Sequence, residues 1–340
     1  MSIDINMLLE LCRMPGVSGD EGAVRGYIAD RCRGRADSVE TDVMGNLIVY
    51  KKGRSQEKKV MVCAHMDEVG LIVTRVTGDG YLKFDTVGGI DPRLLPGRRL
   101  ICGAGRLGGV IGAKPKHLTS PKERETVVKT DDMVIDIGAL NKEQAEAGIS
   151  PGDYAAFYSE GFLFGEDMVC AKALDDRAGC AVMLSLLDET PRFDTWFVFT
   201  VQEEVGTRGS AVAAYAIEPD ECLVIEGTTA ADHPPSQPHT EVCRVGGGPV
   251  IPFMDKGCIY DRRMCAVLKA CAGGLGLRWQ TKELIAGGTD AGKVQLSKGG
   301  VACAAVSVPV RYIHSANSAA ELDDIEGVRR LCAEYIKDHV

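Results

Sequence analysis

Residues 196–206 read WFVFTVQEEVG, an unbroken stretch of aromatic and β-branched side chains that stops at Gln202 and two adjacent acids, Glu203 and Glu204. A half-exposed strand alternates apolar and polar residues; a run without alternation belongs to a strand covered on both faces, as in the middle of a parallel sheet. Layers above and below such a strand commit the chain to an α/β architecture. The acid pair at its mouth is costly if buried, because the two charges repel and both lose hydration. A bound cation or a displaced proton affinity resolves that cost, and otherwise the pair is a solvated loop feature.

Other stretches supply the rest of an α/β scaffold. Residues 4–14 have helical apolar spacing and stop at Pro15-Gly16, and Ser18 is placed to cap a second helix through Asp30. DVMGNLIVY (42–50) is a turn and strand, and KVMVCAH (59–65) a buried strand ending near His65, Asp67 and Glu68. After residue 164 the pattern resumes with a helix over 175–189, the strand above, a helix over 210–216, and the strand CLVIEG ending at Glu226. A helix over 262–272, the Gly-rich GGTDAG, the strand VACAAVSVPV and a closing helix over 323–339 follow. Between them, residues 70–164 break into short segments such as GLIVTRV, RRLICG and GGVIGAKP, separated by Gly and Pro. That spacing predicts a small β-barrel or sandwich inserted into the scaffold. The expected fold is therefore a mixed central sheet flanked by helices, with residues 1–69 and 165–340 forming one discontinuous domain and 70–164 an inserted β domain. The stretch GAGRLG (103–108) matches G-x-G-x-x-G, but a β-like segment follows where a dinucleotide site requires a helix.

Composition removes several function classes. A formal net charge of -9 argues against a nucleic-acid surface, which needs clustered Lys and Arg. No apolar run approaches spanning length, and acids stand at the N-terminus where a signal peptide needs basic residues, so no membrane association is expected. The 13 cysteines are scattered and nowhere spaced C-x-x-C, which reads as small core hydrophobes in a reducing cytoplasm rather than disulfides or zinc ribbons.

The chemistry-bearing residues gather at element boundaries: His65, Asp67, Asp175, Glu203, Glu204, Glu226 and His314. Carboxyl ends of strands in an open α/β sheet line a common crevice, so these side chains are expected to converge. Two His with several carboxylates suit divalent zinc, cobalt or manganese, and five ligands with one shared suffice for two ions. Of two adjacent acids after a strand, one can ligate while its neighbour serves as general base. Asp67, two residues beyond His65, can accept the second ring N–H and fix the imidazole's tautomer. His117, His233, His239 and His339 sit in loops or at the terminus and read as surface residues, while Asp290 is either a turn former or a residue near a substrate pocket.

In this order, AHMDEVG, KALDDR, QEEVG, GGTDAG and RYIHS resemble the M42 family of metallo-aminopeptidases, cytosolic enzymes that include tetrahedral dodecameric peptidases, and the resemblance covers essentially the whole chain. It implies two divalent ions per subunit, zinc with cobalt or manganese as alternatives. His65, Asp175 and Glu226 would hold one, with Asp175 bridging to a second held by Glu204 and His314. Glu203 would be the general base, Asp67 would orient His65, and Asp176 would be either a helix N-terminal residue or a group supporting the ligands. Short peptides are the implied substrates, Asp290 is tilted toward the pocket or an assembly interface, and a homo-oligomer built from dimers, up to a dodecamer, is implied through the inserted domain. One position departs from the family pattern: Glu226 stands where Asp is usual, which raises a carboxypeptidase or deacylase as the alternative. Asp232, six residues on, is the competing ligand.

Overall fold

The structure is a computed structural model that describes residues 2–234, 237 and 240–339. His239 lies outside the described residues, as does the side chain of His339. The chain enters through α1 (Ile5–Arg13), capped by the Asp4 carboxylate, which accepts from the amides of Asn6 at 2.9 Å and Met7 at 3.2 Å. The second helix, α2 (Gly22–Cys32), starts later than a Ser18 cap predicts. The Ser18 hydroxyl is committed elsewhere, donating to Asp67 Oδ2 at 2.6 Å, and Gly19 turns the chain with φ +97.

Three strands follow: β1 (Ser38–Thr41), β2 (Leu47–Lys51) and β3 (Ser55–His65). Then come β4 (Gly70–Val76), β5 (Leu82–Val87), β6 (Arg99–Cys102), β7 (Leu107–Gly112), β8 (Val134–Asp136) and β9 (Tyr154–Phe157), with short helices α3 (Pro121–Arg124) and α4 (Lys142–Glu146) among them. These six strands close a barrel in the order β4-β5-β8-β7-β6-β9. Its interior is a separate apolar cluster that includes Leu71, Leu82, Leu100, Ile135 and Phe157. GAGRLG forms the β6–β7 hairpin, with Cys102 paired to Leu107, so a turn stands where a phosphate-binding helix would have to begin.

The chain returns through β10 (Phe162–Phe164), β11 (Met168–Ala171), α5 (Leu174–Leu186), β12 (Phe193–Thr200), α6 (Arg208–Ile217) and β13 (Glu221–Thr229). It finishes with α7 (Arg262–Gly274), α8 (Ala291–Val294), β14 (Ala302–Val310), β15 (Ser318–Glu321) and α9 (Leu322–Glu334). The main sheet runs β1-β2-β12-β3-β13-β14 and is mixed. Its four central and far strands are parallel, whereas β2 pairs antiparallel with both β12 and β1. β12 is buried through Phe197–Thr200, as its unalternating sequence requires. Nearly every side chain of α5 is buried, so it is the central helix on one face, packed on β3 and β13 and flanked by α1 and α9. α6 and α8 contact β12, β3, β13 and β14 and cover the opposite face.

A buried ionic layer fixes the loop after β3 against the start of α5. The Lys172 ammonium pairs with Glu68 and donates to the Met14 carbonyl at 2.9 Å, while Glu68 also accepts from the Gly16 amide at 3.0 Å. Arg177, fully buried, donates to the carbonyls of Met66, at 2.8 Å, and Leu11. Charges held this far from water persist only when paired and hydrogen-bonded, so the layer specifies one geometry for the segment carrying His65 and Asp67.

Candidate metal centre

His65 is the last residue of β3 and lies beside Thr200 of β12 in parallel register. Val224 of β13 pairs with Cys63, so two residues further along, Glu226 and His65 share a sheet face. β13 runs on to Thr229, which corrects the expectation that the strand stops at Glu226. Pairing with β14 continues through Glu226–Ser307 to Thr229–Val310, so this carboxylate projects from within a strand. Gly227 makes room beside it: a Cβ there would stand 2.7 Å from Asp175 Oδ1, whereas its amide instead donates to that oxygen at 3.2 Å.

Glu203 and Glu204 sit in the turn between β12 and α6, and three polar side chains hold that turn. Asn46 accepts from the Val201 amide at 3.0 Å and donates to the Gly209 carbonyl at 2.9 Å. Glu21 accepts from the Gln202 amide at 3.1 Å. Asp67, with no exposed surface, accepts from the Glu203 amide at 3.0 Å, the Glu204 amide at 3.1 Å and the Ser18 hydroxyl. Burial works against the Asp67 charge, but the His65 contact and these donors outweigh it and hold its carboxyl below the ordinary range.

The imidazoles are oriented by main-chain carbonyls. His65 Nδ1 lies 3.0 Å from the Asp67 carbonyl, with the Asp67 carboxylate farther off at 3.5 Å, so the backbone of Asp67 is its nearer partner. His314 Nδ1 lies 2.8 Å from the carbonyl of Gly89, in the loop after β5. A carbonyl only accepts, so Nδ1 carries the proton in both rings and Nε2 is turned inward. His65 Nε2 faces Glu226 Oε1 at 3.1 Å and Asp175 Oδ1 at 3.4 Å. His314 Nε2 faces Glu204 Oε2 at 3.2 Å and Asp175 Oδ2 at 3.6 Å. Each oxygen of Asp175 thus meets a different histidine. Ligand atoms of His65, Asp175 and Glu204 lie within 4.8 Å of one another, as do those of His65, Asp176 and Glu226. Asp176, joined to Asp175 by a cis peptide, has one oxygen on the His65 amide at 3.2 Å and the other on the Gly179 amide at 3.0 Å. Those bonds engage it behind the cluster.

A neutral imidazole Nε2 and a carboxylate oxygen both offer lone pairs, so contacts of 3.1–3.6 Å need a positive charge between them, a proton or a cation. Held by protons alone, the groups are far from their ordinary behaviour. Burial, then the Glu226 charge, pushes the Glu203 carboxyl well up; burial also raises Glu226 strongly and lifts Glu204 to about 7. Burial tends to lower both histidines, yet Glu226 and Asp175 drive His65 well up, and Asp175 and Glu204 bring His314 to about 9. Asp175 is held well below the usual range by both imidazoles despite its burial. Two nitrogen and three carboxylate donors with fixed tautomers and excess negative charge fit divalent ions of the zinc, cobalt or manganese kind. Glu203 pairs with neither imidazole among the described residues, which separates it from Asp175, Glu204 and Glu226 although it lines the same cavity of about 500 Å³.

Asp290 requires correction as a pocket residue. It is 1% exposed and lies behind the cavity wall, its Oδ2 accepting from Thr200 Oγ1 at 2.6 Å and its Oδ1 buried with no hydrogen-bond partner among the described residues. Its neighbours Gly288, Thr289 and Lys293 line the cavity instead. Asp232 is no ligand, because Arg311 holds it with two bonds of 2.7 Å. His117 is exposed, His233 is half-buried with its ring 5.1 Å from that of Tyr312, and neither belongs to the cluster. Sequence reasoning missed Ser18, Gly227 and Lys172. Only Gly227, a glycine inside an apolar strand run, carried a readable signal of close approach.

Residues 45–331 match the family model described as M42 glutamyl aminopeptidase. A putative aminopeptidase of Acetivibrio thermocellus is 38% identical over 333 residues, covering 97% of this chain and 98% of that protein. The lysyl aminopeptidase of Pyrococcus furiosus is 31% identical over 350 residues, covering 99% and 97%. Among solved structures, the Pyrococcus horikoshii TET1 peptidase, described as assembling into a tetrahedron or a large octahedral shell, superposes with a TM-score of 0.88 at 35% identity, over 98% of this chain and 99% of that one.

Replacing one Asp67 oxygen with an amide leaves a donor of the 203–204 turn unmet. Asp67→Asn is expected to weaken divalent-ion binding by about 10–100-fold, read by competition with a chromogenic chelator. Wild-type affinity in the folded variant contradicts the role assigned to this carboxylate.

Proposed function

The chain belongs to the M42 peptidase family, and from that premise we propose that it is a two-metal exopeptidase removing the N-terminal residue of short peptides. The observation that carries the reading is Asp175, whose two oxygens each face a different inward-turned imidazole. His65, Glu226 and Asp175 would hold one divalent ion, and Asp175, Glu204 and His314 the other. Bound there, the ions supply Lewis-acid polarisation of the scissile carbonyl and acidify an attacking water. The protein's own groups do the rest. Glu203, beside the ligand group and raised by burial, takes a proton from the attacking water and returns it to the departing amine. Asp67 holds the amides of Glu203 and Glu204, fixing base and ligand relative to one another. The carbonyls of Asp67 and Gly89 keep both imidazoles in the tautomer that presents Nε2.

Glu226 in place of the usual Asp motivates a carboxypeptidase or deacylase alternative, which aminopeptidase relatives do not favour. Within β13 the Glu226 carboxylate reaches His65 Nε2 at 3.1 Å, the contact a ligand at this position needs.

The discontinuous unit 1–69 and 165–340 would be catalytic, and 70–164 would serve assembly. Homo-oligomerisation is supported by the shell-forming TET1 relative and by β10, a sheet-edge strand whose Phe162, Leu163 and Phe164 are all exposed. A cytoplasmic location accords with 13 cysteines that are all free and buried. Sedimentation is expected at a multiple of 36.4 kDa, and a strictly monomeric protein would refute the assembly role.

Glu203→Gln keeps the shape of the side chain and removes its basicity. The variant is expected to bind metal as wild type does while kcat falls by about 10²–10⁴-fold, the usual worth of a general acid–base group. Turnover within a few-fold of wild type would remove Glu203 from the chemistry.

A further inference from the structure

The cavity that holds the acid and imidazole cluster is also lined by charge of the contrary sign. Three lysines line it, Lys256, Lys282 and Lys293, and among the described residues no Asp or Glu outside the cluster's own acids does. Among the described residues, Ala286 and Ile313 alone add aliphatic surface there beyond threonine methyls and glycines. Lys282 is the unusual member. It is 4% exposed, and among the described residues its Nζ has one hydrogen-bond partner, the Ala286 carbonyl at 3.4 Å. No carboxylate of the described residues lies within 4.0 Å of any of the three ammonium groups. A buried ammonium with three donors and one long bond leaves its desolvation uncompensated until an acceptor arrives.

The backbone at each lysine is bonded in place: on either side of Lys282 the Gln280 and Glu283 amides donate to the carbonyls of Pro249 at 3.0 Å and Val242 at 2.9 Å, and the Lys293 amide donates to the Asp290 carbonyl at 3.1 Å. Asp255, 1% exposed, accepts from the amides of Gly257 and Cys258, both at 2.6 Å, from Tyr260 Oη at 2.6 Å and from Thr289 Oγ1 at 3.0 Å. The Lys256 amide donates to the Gly287 carbonyl at 2.9 Å. The segments 255–260 and 287–292 thus form one wall whose position does not depend on the lysine side chains.

Resting on the aminopeptidase reading, we propose that Lys282, supported by Lys256 and Lys293, is the specificity determinant of this site and receives a carboxylate, that of an acidic N-terminal residue of the substrate. Once divalent cations balance the ligand acids, the remaining charge of the cavity wall is positive and selects an anion. A leucine side chain would find little apolar surface in it, and a lysine side chain no free acid. Family membership does not decide this, since the family model bears a glutamyl name and the Pyrococcus furiosus relative a lysyl one.

The test uses metal-replete protein and the p-nitroanilides of Glu, Asp, Leu and Lys, which carry no C-terminal carboxylate. Glu- and Asp-anilides are expected to exceed the other two in kcat/KM by about 10-fold or more, the usual worth of a hydrogen bond to a charged group. Lys282→Met should collapse the Glu-to-Leu ratio by about the same factor, and Lys282→Arg, which keeps the charge, should preserve the preference. Lys256→Met, at an exposed position, should lower the ratio in the same direction. Calorimetric titration of L-glutamate against L-leucine should show the same order and the same loss in Lys282→Met. A wild-type preference for Leu or Lys, or a ratio unmoved by Lys282→Met, overturns the assignment and leaves the aminopeptidase reading standing. So does a variant that loses activity on Leu-Gly but not on its C-terminal amide, which would make the peptide terminus the carboxylate being read. If no anilide is hydrolysed, the aminopeptidase reading fails and this inference with it.

Discussion

One fully buried carboxylate, that of Asp67, ties together three parts of the chain that the site cannot do without. Its oxygens accept from the amides of Glu203 and Glu204 and from Ser18, while its own carbonyl takes the Nδ1–H of His65. A carboxylate buried this deeply costs several kcal/mol in lost hydration unless such donors surround it. Here they come from the loop before α2, from the end of β3 and from the turn after β12. The cost of burial therefore becomes positional precision: the charge is tolerable only when all three segments are in place. Behind it, Glu68, Lys172 and Arg177 repeat the principle with charges of both signs, locking the residues after β3 to α1 and α5.

The same economy explains why the cluster is poised for cations. Asp175, Glu203, Glu204 and Glu226 lie largely out of water around two imidazoles whose protons are committed to main-chain carbonyls. Protons can hold such a group together only by forcing carboxyls up and imidazoles up at once, as the Glu204 and His314 values of about 7 and about 9 express. Divalent ions of the proposed kind would relieve both displacements, because the Nε2 atoms and carboxylate oxygens already face one another. Local stability is traded for readiness to bind.

Much of this was legible in the sequence, and the exceptions have physical reasons. The unalternating runs at 196–201 and 59–65 announced doubly covered strands, and ligand-type residues beside them announced a crevice. The inserted barrel was legible as short segments punctuated by Gly and Pro. Glu226 was misplaced to a strand end because a polar residue in an apolar run resembles a terminus, whereas pairing with β14 carries the strand past it. Ser18 looked like a cap because local spacing cannot reveal a carboxylate 49 positions away. The family resemblance tilted Asp290 toward the pocket or an assembly interface; tertiary packing instead turned its carboxyl to Thr200. The lysines of the cavity wall carried no signal, since nothing in a sequence marks a lysine left without an acid.

The proposed two-metal site requires Asp175 to serve two ions at once. Diffraction data from metal-replete crystals, collected on both sides of the absorption edge of the bound metal, test that directly. Two anomalous peaks are expected per subunit, one beside His65 and Glu226, the other beside His314 and Glu204, with the Asp175 carboxylate between them. A single peak, or two of which only one touches Asp175, would contradict the account.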